Sequence, residues 1–251
     1  MMQITIAQLY PAELGVTGDR GNVRAIERRF EAHGVDTVTV LVAPGEELPA
    51  DLDVLVIGNG PLSALRGVHA DLTARKDRIA AFVADGGALL SVGGSAELLG
   101  EGVSVSGGED VTGLGVLPYR VARVRDRRVG YIIVDTPDGP VVGFEDHASE
   151  WTLTDAQAAY GTVREGHGSY ARGDRRGEFV RRDNAFACNV QGPLLPLNPA
   201  LTELMIGTVA RRRGFELAPA VAGDLDEYAE AARTKILMRP TRDKGFKTIQ
   251  V

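Results

Sequence analysis

ALLSVGGSAELLG, residues 88–100, changes its period halfway along. Ala88 to Val92 is a continuous short apolar run, as a strand covered on both faces requires. Gly93-Gly94 then turns the chain, and Ser95 to Leu99 reads as the start of a helix ending at Gly100. Upstream, DVLVIG (53–58) is a second such strand and runs into Gly58-Asn59-Gly60. Before it come ITIAQL (4–9), a helix from about Asn22 to His33, and TVTVLV (37–42), a βαβ series. Between the two glycine-ended strands a helix is expected over about His69 to Ala84. Leu72, Ile79, Ala80 and Val83 would form its apolar face, and Arg75, Lys76 and Asp77 its solvent face. The fold class that follows is α/β, an open, mostly parallel sheet flanked by helices. Ligands gather at the carboxyl ends of strands in such sheets, so the loops at 58–60 and 93–94 mark the edge of the expected site.

From about residue 115 the texture shifts to β-rich segments, VLPYRVARV, RVGYIIVDT, GPVVGFE and GEFVRR, separated by Gly, Asp and Pro turns. A helix from Pro199 to Arg213 restores the α pattern, with Asn198 as N-cap and proline at the first helical position. The organisation expected is one domain over residues 1–215 and a C-terminal extension over 216–251. Within the extension Asp224 to Met238 is helical, with an apolar stripe of Leu225, Tyr228, Ala229, Ala232 and Ile236, and the last dozen residues form a polar, basic tail.

With 44% hydrophobic and 25% charged residues the chain can form its own core. No run approaches the roughly 18 apolar residues of a membrane span, and the first residues lack a signal-peptide pattern, so a cytoplasmic protein is expected. The net charge of −6, with basic residues scattered, argues against nucleic acid as partner. One cysteine and four histidines at no recognisable ligand spacing lead us to expect neither metal nor cofactor.

Three segments carry a resemblance: LYPAELGVTGDRGNVRAIERRFEAHGV (9–35), GFEDHASEW (143–151) and QGPLLPLNP (191–199). In this order they resemble the class I glutamine amidotransferases of the cobyric acid synthase type, and most closely the amidotransferase subunit of lipid II isoglutaminyl synthase. The resemblance spans nearly the whole chain and implies the flavodoxin-like three-layer form of the α/β class. It also implies a cysteine nucleophile on a strand-to-helix elbow and a histidine base. Here Gly93 stands at the nucleophile position and Gln191 at the base position, and glutamine cannot titrate near neutral pH. The Gly58-Asn59-Gly60-Pro61-Leu62 loop also departs from the family's glutamine loop.

The remaining candidates each have two readings. Gly93-Gly94 either forms an empty oxyanion pocket or serves as permissive backbone, and Gly60, like Gly94, is expected to line the pocket. Glu145 and His147, on one strand face, line a pocket or make a structural hydrogen bond. Arg127 resembles the family's substrate-contacting arginine, with Arg128 as the competing register and a solvated hairpin as the alternative. Asp19, Arg20 and Asn22 bind a substrate or partner through charge, or form a loop held by its own Asp–Arg pair and capping the following helix. Cys188 reads as a buried thiol and Ser95 as a helix cap, although either is the substitute nucleophile if activity survives. His167 reads as a loop residue, and His33 and His69 as surface helix positions.

Because the family's glutaminase feeds ammonia to an ATP-dependent ligase of the Mur-ligase type, the resemblance implies a heteromeric complex. The expectation is a catalytically degenerate subunit that supports such a ligase in cell-wall or natural-product amide formation. The alternatives are an active subunit with an unorthodox nucleophile, or a small-molecule sensor using the vacated pocket.

Overall fold

Parallel strands need helical crossovers and antiparallel ones need only turns, and the two halves of this chain divide along that line. The computed structural model describes residues 3–221, 223–238 and 247–250. The first half comprises β1 (Gln3–Leu9), α1 (Arg20–Ala32), β2 (Asp36–Val42), β3 (Val54–Ile57), α2 (Leu62–Ala74), α3 (Lys76–Ala84), β4 (Ala88–Val92) and α4 (Gly94–Leu99). There follow β5 (Gly102–Val105), β6 (Val111–Thr112), β7 (Tyr119–Thr136), β8 (Gly139–Leu153), β9 (Ala159–Glu165), β10 (Tyr170–Arg172), β11 (Arg175–Arg182), β12 (Ala185–Cys188) and β13 (Val190–Gln191). Last come α5 (Leu194–Leu197), α6 (Pro199–Arg213), α7 (Asp224–Leu237) and β14 (Lys247–Gln250).

Among the described residues the sheet order is β2-β1-β3-β4-β12-β11-β10-β8-β7-β5-β6. The first five strands of that order are mutually parallel. Beyond β12 antiparallel pairing dominates, β11 against β12 and β7 against β8 in a long hairpin, with parallel contacts only of β8 to β10 and β7 to β5 among the described residues, which accounts for the β-rich texture past residue 115. β3 and β4 are buried along their whole length because helices cover both faces. On one side Leu55 and Leu89 pack with Leu65, Leu72, Ile79 and Phe82 of α2 and α3. On the other, Val56 and Leu90 pack with Ile26 and Phe30 of α1 and Met205 and Ile206 of α6.

The helix expected over 69–84 is two helices. α2 already starts behind Pro61, and the chain turns a corner at Arg75 before α3. Arg75, expected on the solvent face, is nearly covered: its Nε donates to Asp71 Oδ2 at 2.7 Å and to the Tyr10 hydroxyl at 3.2 Å, which fixes the corner. Asn198 and Pro199 do start α6, but the asparagine side chain does not cap it. Its Oδ1 accepts from Val142 N at 2.9 Å and its Nδ2 donates to the Val142 and Leu194 carbonyls, both at 2.8 Å, stapling β8 to α5.

α7 lies against the body of the fold through Ala229 and through buried Arg233, whose Nη2 donates to Pro140 O at 2.7 Å. Tyr228 is 69% exposed, so the expected apolar stripe is only partly turned inward. The side chain of Leu225 and residues 239–246 of the expected basic tail lie outside the described residues. Where that tail was expected to continue, residues 247–250 form β14, which adds to β7 at Asp126–Val129. No described helix is long and apolar enough to cross a membrane.

Candidate functional site

β4 delivers the chain to an elbow at Gly93, with φ 65° and ψ −129°, and α4 begins at the next residue. A non-glycine side chain at this φ and ψ is strained, as nucleophile elbows are. Gly93 N donates to Cys188 O at 2.7 Å, so β12 and the elbow end together, and β13 then carries Gln191 into the same space. From β3 on the other side comes Asn59, anchored by its own N–H to Asp19 Oδ2 at 3.0 Å.

Asn59 closes the site. Its Oδ1 accepts from Gly94 N at 2.7 Å, and its Nδ2 donates to Gln191 Oε1 at 3.2 Å. Gln191 Nε2 donates onward to Asp146 O at 3.1 Å. A Cβ built on Gly93 would lie 2.3 Å from Asn59 Oδ1 and 2.5 Å from its Cγ. The amide therefore fills the space a nucleophilic side chain needs and takes the N–H that follows it, the donor that would stabilise an oxyanion. Each group in this chain of bonds is an amide, so none can shuttle a proton near neutral pH.

A cleft of about 500 Å³ opens beside this plug, lined among others by Gly60, Gly94, Glu97, Arg123, Arg127, Asp146, His147, Asn189 and Gln191. Glu97, almost fully buried, accepts from Arg123 Nε at 2.8 Å. Burial pushes its carboxyl above the usual range even though Arg123 pulls the other way. Arg127 reaches the cleft and pairs through Nε with Asp146 Oδ1 at 2.5 Å. The β7–β8 ladder slips between Arg123 and Arg128, and past this bulge Arg128 points elsewhere, to Glu150 and the Ser149 and Gly168 carbonyls.

Several expectations need correcting. Glu145 does not line the cleft: wholly buried, it accepts from His167 N at 2.7 Å, Gly168 N at 2.9 Å and His147 Nε2 at 3.3 Å. Burial alone would raise its carboxyl, but His147 and these two N–H groups outweigh that and hold it below the usual range. Among the described residues Asp19 makes no ion pair with Arg20. Its buried carboxylate serves Thr17 and Asn59, and Arg20 is exposed. Asn22 Oδ1 accepts from Leu195 N at 2.9 Å, and a Cβ on Gly21 would meet Pro193 Cγ at 2.7 Å. The Gly-Asp-Arg-Gly-Asn and Gly-Pro-Leu-Leu-Pro segments thus pin each other, an internal reason for both motifs.

Ser95 does not cap α4; its hydroxyl is bonded to the Ile57 and Val92 carbonyls and to Ser91. Cys188 is wholly buried with Sγ 3.6 Å from Val190 O, and burial pushes its thiol well up. His33 and His69 are not bare surface residues, being bonded to Glu203 and Ala218 O and to Thr112 O respectively, and His167 lies beside Glu145. Among the described residues no group of three or more His, Cys, Asp and Glu is placed to hold a metal ion. Sequence reading placed Asn59 only within the glycine loop at the edge of the site and missed Glu97, Arg123 and Asn189, of which Glu97 left a signal as the one charge within an otherwise apolar helical turn.

Residues 9–198 match the model of the CobB/CobQ-like glutamine amidotransferase domain. The chain is 27% identical over 215 residues, 84% of its length and 82% of the relative's, to the GatD subunit of lipid II isoglutaminyl synthase (glutamine-hydrolyzing) from Streptococcus pneumoniae. It is 25% identical over 250 residues, 97% and 99% of the two chains, to the same-named subunit from Staphylococcus aureus. Among solved structures, a glutamine amidotransferase from Thermotoga maritima superposes with a TM-score of 0.52 over 94% of both chains at 12% identity, a likeness of fold.

Proposed function

We propose that this chain, which belongs to the CobB/CobQ-like glutamine amidotransferase family, is a catalytically degenerate subunit that binds and supports a Mur-ligase-like, ATP-dependent, amide-forming partner in cell-wall or natural-product biosynthesis. The observation that carries this reading is the Asn59 amide seated over Gly93 and bonded to Gly94 N. Covalent amide hydrolysis needs a nucleophile, a base and free oxyanion donors. The elbow presents a glycine, a glutamine and an occupied N–H. Neither substitute nucleophile helps, because the Cys188 thiol is sealed from solvent and the buried Ser95 hydroxyl is bonded, among the described residues, only to Ser91 and to strand carbonyls.

The partner half of the proposal is supported by the two relatives whose printed names make them subunits of a synthase acting on lipid II. Val221 before α7, Tyr228 on it and Met238 at its C-terminal cap support it further, three large apolar side chains left 78%, 69% and 77% exposed. Recovery of the chain from its native host, followed by mixing with the ligase recovered beside it, tests the association. A stable heterodimer burying at least about 1,000 Å² should raise the melting temperature of both chains. A chain that stays monomeric beside that ligase at micromolar concentration, with neither melting curve moved, overturns it.

A further inference from the structure

α7 does not close flat on the body of the fold. Between it, α1 and α5 runs a groove of about 630 Å³, whose floor and far wall include Ala25, Leu195, Pro196, Leu197, Ala229 and Ala232. Thr202 also lines it, but its hydroxyl is spent on the Leu195 and Asn198 carbonyls and asks for no polar ligand. Val221 and Tyr228, both largely exposed, stand along the rim. The walls are fixed without any ligand. Arg29 Nη1 donates to Asp226 Oδ2 at 2.8 Å, Val221 N to Ala32 O at 2.8 Å and Arg233 Nη2 to Pro140 O at 2.7 Å, which hold Val221 and α7 in place.

Charge selects the occupant. Along the mouth α1 presents Arg24 and Arg28, one turn apart and both exposed. Their carboxylate partners, Glu27 at 2.6 Å and Glu31 at 2.5 Å, are neighbours on the same helix that do not line the groove, and exposed pairs of this kind exchange readily. Asp226, the one carboxylate among the lining residues described, is already matched by Arg29. An apolar trough edged by two exchangeable guanidinium groups calls for an apolar chain that ends in an anion.

We propose that this groove binds a medium-chain fatty acid, its chain lying between α1 and α7 and its carboxylate on Arg24 and Arg28. The lining follows α1 from Gly21 to Ala32, a rise of about 16 Å. A zigzag carbon chain advances about 1.3 Å per atom, so about a dozen carbons fill that length. The ligand would share Val221 and Tyr228 with a docked ligase, so it is measured on the chain alone, and its failure there leaves the partner reading where it stands.

Calorimetric titration and melting temperature of the full chain are read for octanoate, decanoate and dodecanoate below their micellar concentrations. Dodecyltrimethylammonium supplies the same tail under the opposite charge. Saturable binding that raises the melting temperature and tightens about fourfold for each added methylene, with the cationic amphiphile at least about tenfold weaker than dodecanoate, supports the site. Arg24→Gln combined with Arg28→Gln, both at exposed positions, should cost at least about tenfold in dodecanoate affinity. Ala232→Trp, which fills the groove, should abolish binding in a chain whose circular dichroism spectrum is unchanged. No saturable binding, equal binding of the cationic amphiphile, or a dodecanoate affinity unmoved by the arginine pair or in the folded Ala232→Trp chain overturns the proposal.

Discussion

Placing a side chain on the elbow tests the plug at atomic level. In Gly93→Ala the three atoms nearest the new methyl all belong to Asn59, at 2.3, 2.5 and 2.9 Å, so the amide must leave. With it go the bonds to Gly94 N and Gln191 Oε1, about 1 kcal/mol each. A non-glycine residue at φ 65° adds strain of about 1–3 kcal/mol. The sum is a destabilisation of about 3–5 kcal/mol. In an Asn59→Gly background the same methyl has room and only the strain remains, so the two substitutions should couple by about 2 kcal/mol. Urea denaturation read by the single tryptophan, Trp151, buried and stacked on Tyr119 at 4.5 Å, and by circular dichroism measures the cycle. Costs that add to within about 0.5 kcal/mol would refute the idea that Asn59 fills the nucleophile's space.

Further expectations rest on single groups. Glu145 is held below the ordinary carboxylate range when folded, so its stabilisation is present above the unfolded value of about 4.3 and is lost as pH falls through the folded one. Glu145→Gln should therefore flatten the stability curve between about pH 5 and 3; an unchanged acid arm would contradict this. Cys188 should react with a disulfide reagent only as fast as the protein unfolds, and rapid labelling of the native chain would contradict its burial. Asn198→Ala removes four buried hydrogen bonds, with Val142 N and O, Leu194 O and the Arg233 guanidinium, and should lower stability by about 3–4 kcal/mol in urea.

Local patterns made the strand–elbow–helix run at 88–100 legible, because period and glycine placement change within a few residues. The helix start at Leu62 and the corner at Arg75 were not, since no glycine or proline marks the corner and its fixing partners are Asp71 and distant Tyr10. That Gly93 and Gln191 stand where the resemblance implies a nucleophile and a base was legible, as was the 58–60 loop at the edge of the expected site. That the Asn59 side chain turns inward to bridge residues 94 and 191 was not, because its partners come from β13 and the start of α4, distant in sequence. Ser95 misled in the same way: the residue type suits a cap, but packing against β3 turned the hydroxyl to Ile57 O.

Ammonia release from L-glutamine, measured by a coupled dehydrogenase assay on the full chain alone and with any ligase that co-purifies with it, tests the central claim most directly. With the elbow filled by Asn59 and no titratable group in its relay, no ammonia above the uncatalysed background is expected in either case. Glutamine-dependent turnover that disappears in Cys188→Ala or Ser95→Ala would contradict the account and make the chain an active amidotransferase with an unorthodox nucleophile.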